Sequence, residues 1–303
     1  MSETRARRSQ GRGRADARAD ARAEGAEQRK SAQPKELFGP APFLIAGPCV
    51  LESDDLNRFV GDCLAEIAER RGLRVIYKAS FDKANRAQLQ GERGPGLERG
   101  LEALLRVRAA TGLPVLTDLH EPHQAAAVAE AADVLQIPAL LCRQTDLLVA
   151  AGSTGRPVNV KKGQWMDAES MAGAIDKVRS SGCTDLAVTE RGTFFGYGDL
   201  VVDMRNFSRL RNACGVPAVY DATHSVQQPG RGDNGSSGAL REFIGPLLYA
   251  SAAAGADGFF LETHPDPDHA PSDGASMLQL DRLDDAIATA LDIWNAVRER
   301  TDA

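Results

Sequence analysis

Six cations, Lys78, Lys83, Arg86, Arg143, Lys161 and Arg191, stand at or just past the ends of short apolar runs. Arginine makes bidentate contacts with phosphate or carboxylate, and lysine supplies a point charge. Each alone is an ordinary surface cation. Gathered at one place, they suit substrates that carry two phosphates and a carboxylate. A second group is Cys49, His224, Glu262 and Asp273. A thiolate, an imidazole and two carboxylates form a borderline donor set, better matched to Zn²⁺, Fe²⁺, Mn²⁺ or Co²⁺ than to Mg²⁺. These four match no compact ligand motif, so spacing alone leaves Cys49 open as a packing residue.

Other chemistry is poorly supported. The chain has no Gly-x-Ser-x-Gly elbow and no Walker loop. The Gly-rich stretch 228–238 reads as a phosphate cradle or, from its position after an apolar run, as a mobile active-site loop. Lys78 has the residue type for a Schiff base. The cations and carboxylates around it in sequence favour a binding role.

The elements that must position these residues alternate regularly. Apolar runs fall at 43–46, 73–78, 114–118, 134–137, 157–161, 185–189, 217–221 and 257–262. Helical patterns follow them at 54–71, 96–111, 122–131, 143–151, 168–180, 203–213, 238–254 and 281–300, the first with Ser53 as N-cap. Strands alternating with helices predict a parallel sheet. Eight such units predict a closed (β/α)8 TIM barrel of the usual size of about 250 residues. No Gly-x-Gly-x-x-Gly follows the first run, which weighs against a dinucleotide-binding sheet.

In such barrels chemistry sits where the strands end. The ends here are Gly47-Pro-Cys49, Lys78-Ala-Ser80, Asp118-Leu-His120, Gln136, Lys161-Lys162, Glu190-Arg191, Asp221-Ala-Thr-His224 and Glu262-Thr-His264. Together they predict one pocket built for several anionic groups. Strands one, seven and eight are neighbours in a closed barrel, so Cys49, His224, Glu262 and Asp273 can converge.

Bulk composition bounds the rest. The 303 residues exceed one barrel by a tail, and 43% hydrophobic content supports a sizeable core. Residues 1–36 hold ten Lys/Arg against six Asp/Glu, while the whole chain carries a formal charge of -6. The Arg/Ala-rich tail reads as a disordered extension, with a nucleic-acid arm as the other reading. The acidic body, 37–303, directs expectation away from nucleic acid as the main partner. No apolar run reaches the roughly 18 residues of a membrane span. The N-terminus lacks the apolar segment of a secretory signal. Five scattered cysteines imply no disulfide framework, and a reducing, cytoplasmic setting is expected.

The strand-end motifs also carry a resemblance. They include Ile45-Ala-Gly-Pro-Cys-Val-Leu-Glu-Ser53, Lys78-Ala-Ser-Phe-Asp-Lys-Ala-Asn-Arg86, Thr117-Asp-Leu-His-Glu121 and Gln136-Ile-Pro-Ala139. Further ones are Arg143-Gln-Thr-Asp146, Asn159-Val-Lys-Lys-Gly-Gln164, Asp221-Ala-Thr-His-Ser-Val-Gln227 and Glu262-Thr-His-Pro-Asp-Pro267. From about residue 42 to 298 the chain resembles the 3-deoxy-D-manno-octulosonate 8-phosphate synthases, also called 2-dehydro-3-deoxyphosphooctonate aldolases. The resemblance implies a homotetrameric barrel that joins phosphoenolpyruvate to D-arabinose 5-phosphate. Metal-dependent members carry Cys after the first strand and metal-independent members carry Asn. Cys49 places this chain with the former, with His224, Glu262 and Asp273 as the other ligands.

Carried over by residue, the resemblance assigns the donor carboxylate to Lys83 and Ser80 and its phosphate to Arg143, Lys161 and Arg191. Lys78, Gln136 and Ala139 line that pocket. Asn85 and Asp118 meet the pentose hydroxyls. Arg86 reaches across a subunit interface to the pentose phosphate. Lys83, Asn85, Asp118 and His224 are the expected catalytic groups. The chain departs from the pattern at Ala87 and Gln90, where the family usually has Ser and His. It also has Leu278-Gln-Leu280 for Leu-Pro-Leu, which predicts a looser loop beside Asp273. The neighbouring alternative is a 3-deoxy-arabino-heptulosonate 7-phosphate synthase, which takes erythrose 4-phosphate. It typically shows Lys-Pro-Arg-Thr where Lys83-Ala-Asn-Arg86 stands here. A non-catalytic sugar-phosphate binder is the alternative from another class, and the full set of strand-end ligands speaks against it.

Overall fold

The computed structural model describes residues 36–86, 89–232 and 237–301. The tail expected at 1–36 therefore lies, but for Glu36, outside the described residues, as does Ala87. Phe38–Ala303 forms a compact unit of its own.

Eight parallel strands close on themselves. They are β1 (Phe43–Gly47), β2 (Arg74–Lys78), β3 (Val115–Asp118), β4 (Val134–Ile137), β5 (Val158–Lys161), β6 (Leu186–Glu190), β9 (Ala218–Asp221) and β12 (Gly258–His264). Each pairs with the next, and β1 pairs with β12 from Phe43↔Gly258 to Gly47↔Glu262. The chain is thus the (β/α)8 barrel that its alternation predicts. The helices are α1 (Asp54–Arg71), α2 (Leu97–Thr111), α3 (Ala125–Ala131), α4 (Thr145–Ser153), α5 (Ala168–Ser180), α6 (Asn206–Cys214), α7 (Ile244–Ala253) and α8 (Leu283–Thr301). Among the described residues no helix is long and apolar enough to cross a membrane.

Local chemistry fixes the boundaries. Ser53 Oγ accepts from Leu56 N at 3.2 Å and starts α1, and Gly72, left-handed at φ 58°, ends it. The helix expected at 122–131 opens as a 3-10 turn, Pro122–Gln124, with Pro122 at the first position, where its missing N–H costs no helical hydrogen bond. The helix expected at 238–254 is shorter. Gly238–Ala239 is a strand, β11, paired with β10 (Gln227–Gln228), and α7 begins only at Ile244. Within the loop after β6, β7 (Thr193–Gly196) and β8 (Asp199–Val201) form a hairpin.

Strand parity decides which side chains meet substrate. Successive residues of a strand point to opposite faces. Val75, Tyr77, Leu135, Ile137, Val158, Val160, Leu186, Val188, Ala218 and Tyr220 join the apolar layer that also takes in helix residues such as Val107, Leu148, Val178 and Phe207. The alternate positions carry Lys78, Asp118, Gln136, Asn159, Lys161, Thr189, Asp221 and Glu262, all buried. They form a polar interior at one end of the barrel.

Gly47 sets the closest approach between β1 and β2. A Cβ there would lie 2.2 Å from the Lys78 carbonyl oxygen. The pairing continues past the strands, with Ser80 N donating to Cys49 O at 3.2 Å and Leu51 N to Ser80 O at 3.0 Å. Cys49 and Lys78 are thereby held side by side.

Candidate active site

Cys49, Glu262 and Asp273 each offer a ligand atom, and these atoms lie within 4.8 Å of one another. Cys49 is fully buried, and its Sγ donates to Asp273 Oδ2 at 3.0 Å. Glu262 is fully buried at the end of β12, and its Oε2 has no hydrogen-bond partner. His224 opens the 3-10 turn after β9, with Nε2 3.5 Å from Glu262 Oε2 and Nδ1 2.8 Å from Asp221 Oδ2. Asp273 takes a left-handed backbone, φ 50° and ψ 19°, which Asp tolerates better than most residues. The donor set and the orphaned Glu262 oxygen fit a divalent cation.

The electrostatics agree with that fit. Burial pushes the Cys49 thiol well up, and Glu262 adds to the shift. The thiol keeps its proton and donates it in the hydrogen bond to Asp273 Oδ2. Burial also raises Glu262, but the Lys78 ammonium, with His224 and Lys83, outweighs it and holds the carboxylate below its usual range. Burial raises Asp273 likewise, and Lys83 and His224 reverse the shift. Two ionised carboxylates beside a neutral thiol need a positive charge nearby.

Lys78 supplies part of it. Its Nζ donates to Glu262 Oε1 at 2.5 Å and to the Cys49 carbonyl at 3.0 Å. Its ion pair with Glu262 favours a charge-pairing role over that of a Schiff-base nucleophile. Lys83 Nζ lies 4.0 Å from the same oxygen. Burial works against its charge, but Cys49, Glu262 and Asp118 prevail and raise it well above the ordinary lysine value.

Asp118 anchors a polar belt. Ser80 Oγ donates to its Oδ2, and Gln136 Nε2 donates to its Oδ1 at 2.7 Å. Asn159 Nδ2 continues to Gln136 Oε1 at 2.8 Å, and Thr189 Oγ1 to Asn159 Oδ1 at 2.7 Å. Burial raises Asp118, yet Lys78 and Lys83 hold it well below the usual carboxylate range.

Two cations lie on the opposite side of the interior. Lys161 Nζ donates to Asp221 Oδ2 and lies 3.3 Å from the centroid of the Phe260 ring. Burial lowers it to about 8, against the pull of Asp221. Arg191 is buried, with Nη2 donating to Gln227 Oε1 at 2.7 Å and Nη1 without a partner. An unsatisfied buried guanidinium N–H is costly and marks the place of an anion.

The remaining expected residues stand at the rim. Asn85 and Arg143 are exposed and Ala139 is half-buried. No hydrogen bond or ion pair ties Asn85 or Arg143 to the interior among the described residues. Arg86 folds onto its own chain, donating from Nη2 to Pro271 O at 2.8 Å and from Nη1 to Ser272 Oγ at 3.0 Å. Ser272 in turn donates to Asp273 Oδ2 at 3.1 Å.

Two strand-end residues leave the expected set. Lys162 and Glu190 occupy the outward parity, and both are fully buried 3.4 Å apart behind the barrel wall. Lys162 Nζ also donates to the carbonyls of Gly163, Met166 and Gly192. They stabilise the turns after β5 and β6 and do not reach the pocket. The departure at Gln279 falls within a strand. Leu278–Gln279 forms β13, paired in register with Thr263 and His264 of β12. Sequence reasoning missed Asn159, Thr189, Gln227 and Ser272 as site residues. Asn159 and Thr189 carried a signal: polar residues at the inward parity of otherwise apolar strands.

A family model described as the DAHP synthetase I family matches residues 35–298. The chain belongs to this family. Its curated relatives resolve the family further. The 2-dehydro-3-deoxyphosphooctonate aldolase of Nitratidesulfovibrio vulgaris (strain DP4) is 52% identical over 253 residues, covering 84% of this chain and 92% of the relative. The protein of the same name from Desulfotalea psychrophila is 48% identical over 261 residues, covering 86% and 92%. That from Nitrobacter hamburgensis is 50% identical over 282 residues, covering 91% and 98%. The similarity to this family spans all eight strands and every residue of the site described above.

Proposed function

We propose that the chain condenses phosphoenolpyruvate, D-arabinose 5-phosphate and water to 3-deoxy-D-manno-octulosonate 8-phosphate and inorganic phosphate. The observation that carries this reading is one interior that holds the unpaired Nη1 of buried Arg191 and a Cys/Glu/Asp ligand set, in a chain about half identical to aldolases of that name. The related names favour this acceptor over the erythrose 4-phosphate of the heptulosonate synthases.

Lys161 and the free Nη1 of Arg191 receive the donor phosphate, with Arg143 closing over it from the rim. Lys83 and Ser80 take the carboxylate, and Gln136 and Ala139 line the wall. Asp118 turns toward the pentose hydroxyls, held by Ser80 and Gln136, with Asn85 above it. Arg86, beside Ser272, meets the pentose phosphate. We assign the homotetrameric assembly of the resemblance to this chain, and the cytoplasm as its location.

Cys49, His224, Glu262 and Asp273 would hold a divalent metal, with Zn²⁺, Fe²⁺, Mn²⁺ and Co²⁺ matching the donors. A metal bound there would supply Lewis acidity toward the acceptor aldehyde or toward water. The chain's own residues do the rest. Fixed cations bring C3 of phosphoenolpyruvate onto the aldehyde carbon and remove an entropic barrier. The C3–C1 bond forms, the aldehyde oxygen takes up a proton, and positive charge develops at C2. Lys161 and Arg191 hold the phosphate, and the ionised carboxylates of the interior, Asp118 and Glu262, offset that developing positive charge. Water adds at C2 and loses a proton. The C2–O bond to phosphate then breaks, the C2 hydroxyl proton passes to the departing phosphate, and the ketone is left.

This order can be tested with phosphoenolpyruvate labelled with oxygen-18 in its bridging position. The label should leave entirely with inorganic phosphate. Label retained in the sugar would show P–O cleavage and overturn the mechanism.

A further inference from the structure

Asp221 and Gln227 serve neither subsite alone. Asp221 is fully buried. Its Oδ1 accepts from the backbone N–H groups of Thr223 and His224 at 3.2 and 2.9 Å, and from Thr223 Oγ1 at 3.2 Å. Its Oδ2 is shared between Lys161 Nζ and His224 Nδ1. Gln227 is also buried. Its Oε1 accepts from Arg191 Nη2 at 2.7 Å, and its Nε2 donates to Asp273 Oδ1 at 3.0 Å. Each side chain therefore joins one phosphate cation to one residue of the metal set. Lys161–Asp221–His224 and Arg191–Gln227–Asp273 run in parallel through the barrel interior.

We propose that Asp221 and Gln227 are positioning residues that couple the two subsites, so that phosphate binding tightens metal binding and the reverse. The inference rests on the reading of the two subsites given above. An anion on Arg191 can use the free Nη1, so the guanidinium becomes fixed without releasing Gln227. The Gln227 amide then stays on Asp273 Oδ1 and leaves Oδ2 turned toward Cys49. An anion on Lys161 draws the ammonium toward itself and leaves more of Asp221 Oδ2 to His224 Nδ1. That contact sets the imidazole tautomer with Nε2 free on the Glu262 side, as a ligand requires. Whichever group binds first orders these side chains, and the second binds to a site already ordered. Direct attraction between a dication and a phosphate would also couple the sites. It would survive loss of the bridges, which separates the two causes.

The test uses the full chain, Co²⁺ at free concentrations set by a chelator buffer, and phosphoenolpyruvate without acceptor. The Co²⁺ dissociation constant is read from thiolate-to-metal absorption, with and without saturating phosphoenolpyruvate. Couplings in proteins run about 5–150-fold, and about tenfold tightening is expected here, with the same factor for phosphoenolpyruvate when Co²⁺ is present. Gln227→Met, neutral and similar in size, should bring the factor below about threefold. Asp221→Asn should act likewise, and either variant suffices if the other does not fold by circular dichroism. A factor near one in the unaltered chain overturns the coupling and leaves both subsites standing. An undiminished factor in the variants overturns the role of the bridges. Failure to bind Co²⁺ or phosphoenolpyruvate at all overturns the subsite reading, and the coupling with it.

Discussion

Cys49 Sγ and Asp273 Oδ2 lie 3.0 Å apart although 224 residues separate them in sequence. Only barrel closure makes this contact, because β1 and β12 are the first and last barrel strands and pair with one another. The thiol reaches Asp273 from one side of the seam, and Glu262 stands on the other. Cys49→Ala removes one proposed ligand and its hydrogen bond to a second. Bound metal and turnover should both fall by more than about 100-fold, beyond the usual effect of losing a ligand's supporting contact. Metal content after gel filtration, read beside phosphate release, checks this. Unchanged turnover in excess chelator would contradict it.

On the proposed reading, Lys161 should set the alkaline limit of donor binding. Burial lowers this ammonium to about 8, so the free enzyme loses the cation as pH rises through that value. The second-order constant for phosphoenolpyruvate, kcat/KM, should fall about tenfold per pH unit above it. Turnover at saturation should hold to higher pH, since a bound phosphate restores the charge. Stability runs the other way. An unfolded lysine keeps the ordinary 10.5, so between 8 and 10.5 the unfolded state binds more protons and the fold gains as pH rises. Lys161→Met should flatten the kcat/KM limb, and a limb that persists in this variant belongs to another group.

The pair behind the wall predicts a purely structural effect. Lys162 and Glu190 are both fully buried, and removing one partner strands the other. Lys162→Met should cost about 3–5 kcal/mol in urea unfolding. The KM for either substrate, measured on the folded fraction, should stay within twofold or so, as expected of a residue that meets no ligand.

Gly47 tests the seam itself. An added Cβ meets the Lys78 carbonyl at 2.2 Å, and backbone must move to admit it. Gly47→Ala should lose about 1–3 kcal/mol of stability. Metal affinity should drop with it, because Cys49 and Lys78 follow the displaced strands. A variant as stable as the parent would show that β1 and β2 can separate without cost.

Much of this was legible in the sequence, for physical reasons. The eight strands could be read because a parallel sheet buried on both faces requires continuous apolar runs. The gathering of Cys49, Glu262 and Asp273, with His224 beside Glu262, could be anticipated because all four follow strands that adjoin in a closed barrel. Parity within a strand end was harder. Lys161 and Lys162 are adjacent and identical, yet one enters the pocket and the other leaves it. The sites of Asn85 and Arg143 stayed open, since rim residues depend on what they meet more than on their own strands. The bridging roles of Asp221 and Gln227 arise only once three dimensions bring their partners together.

The central claim concerns which acceptor joins phosphoenolpyruvate in this interior. The direct measurement is inorganic phosphate released from phosphoenolpyruvate with arabinose 5-phosphate, erythrose 4-phosphate or ribose 5-phosphate, each with and without chelator. Rapid release with arabinose 5-phosphate, lost in chelator and restored by a divalent metal, is the predicted result. A higher kcat/KM with erythrose 4-phosphate, or release with none of the three, would contradict the account.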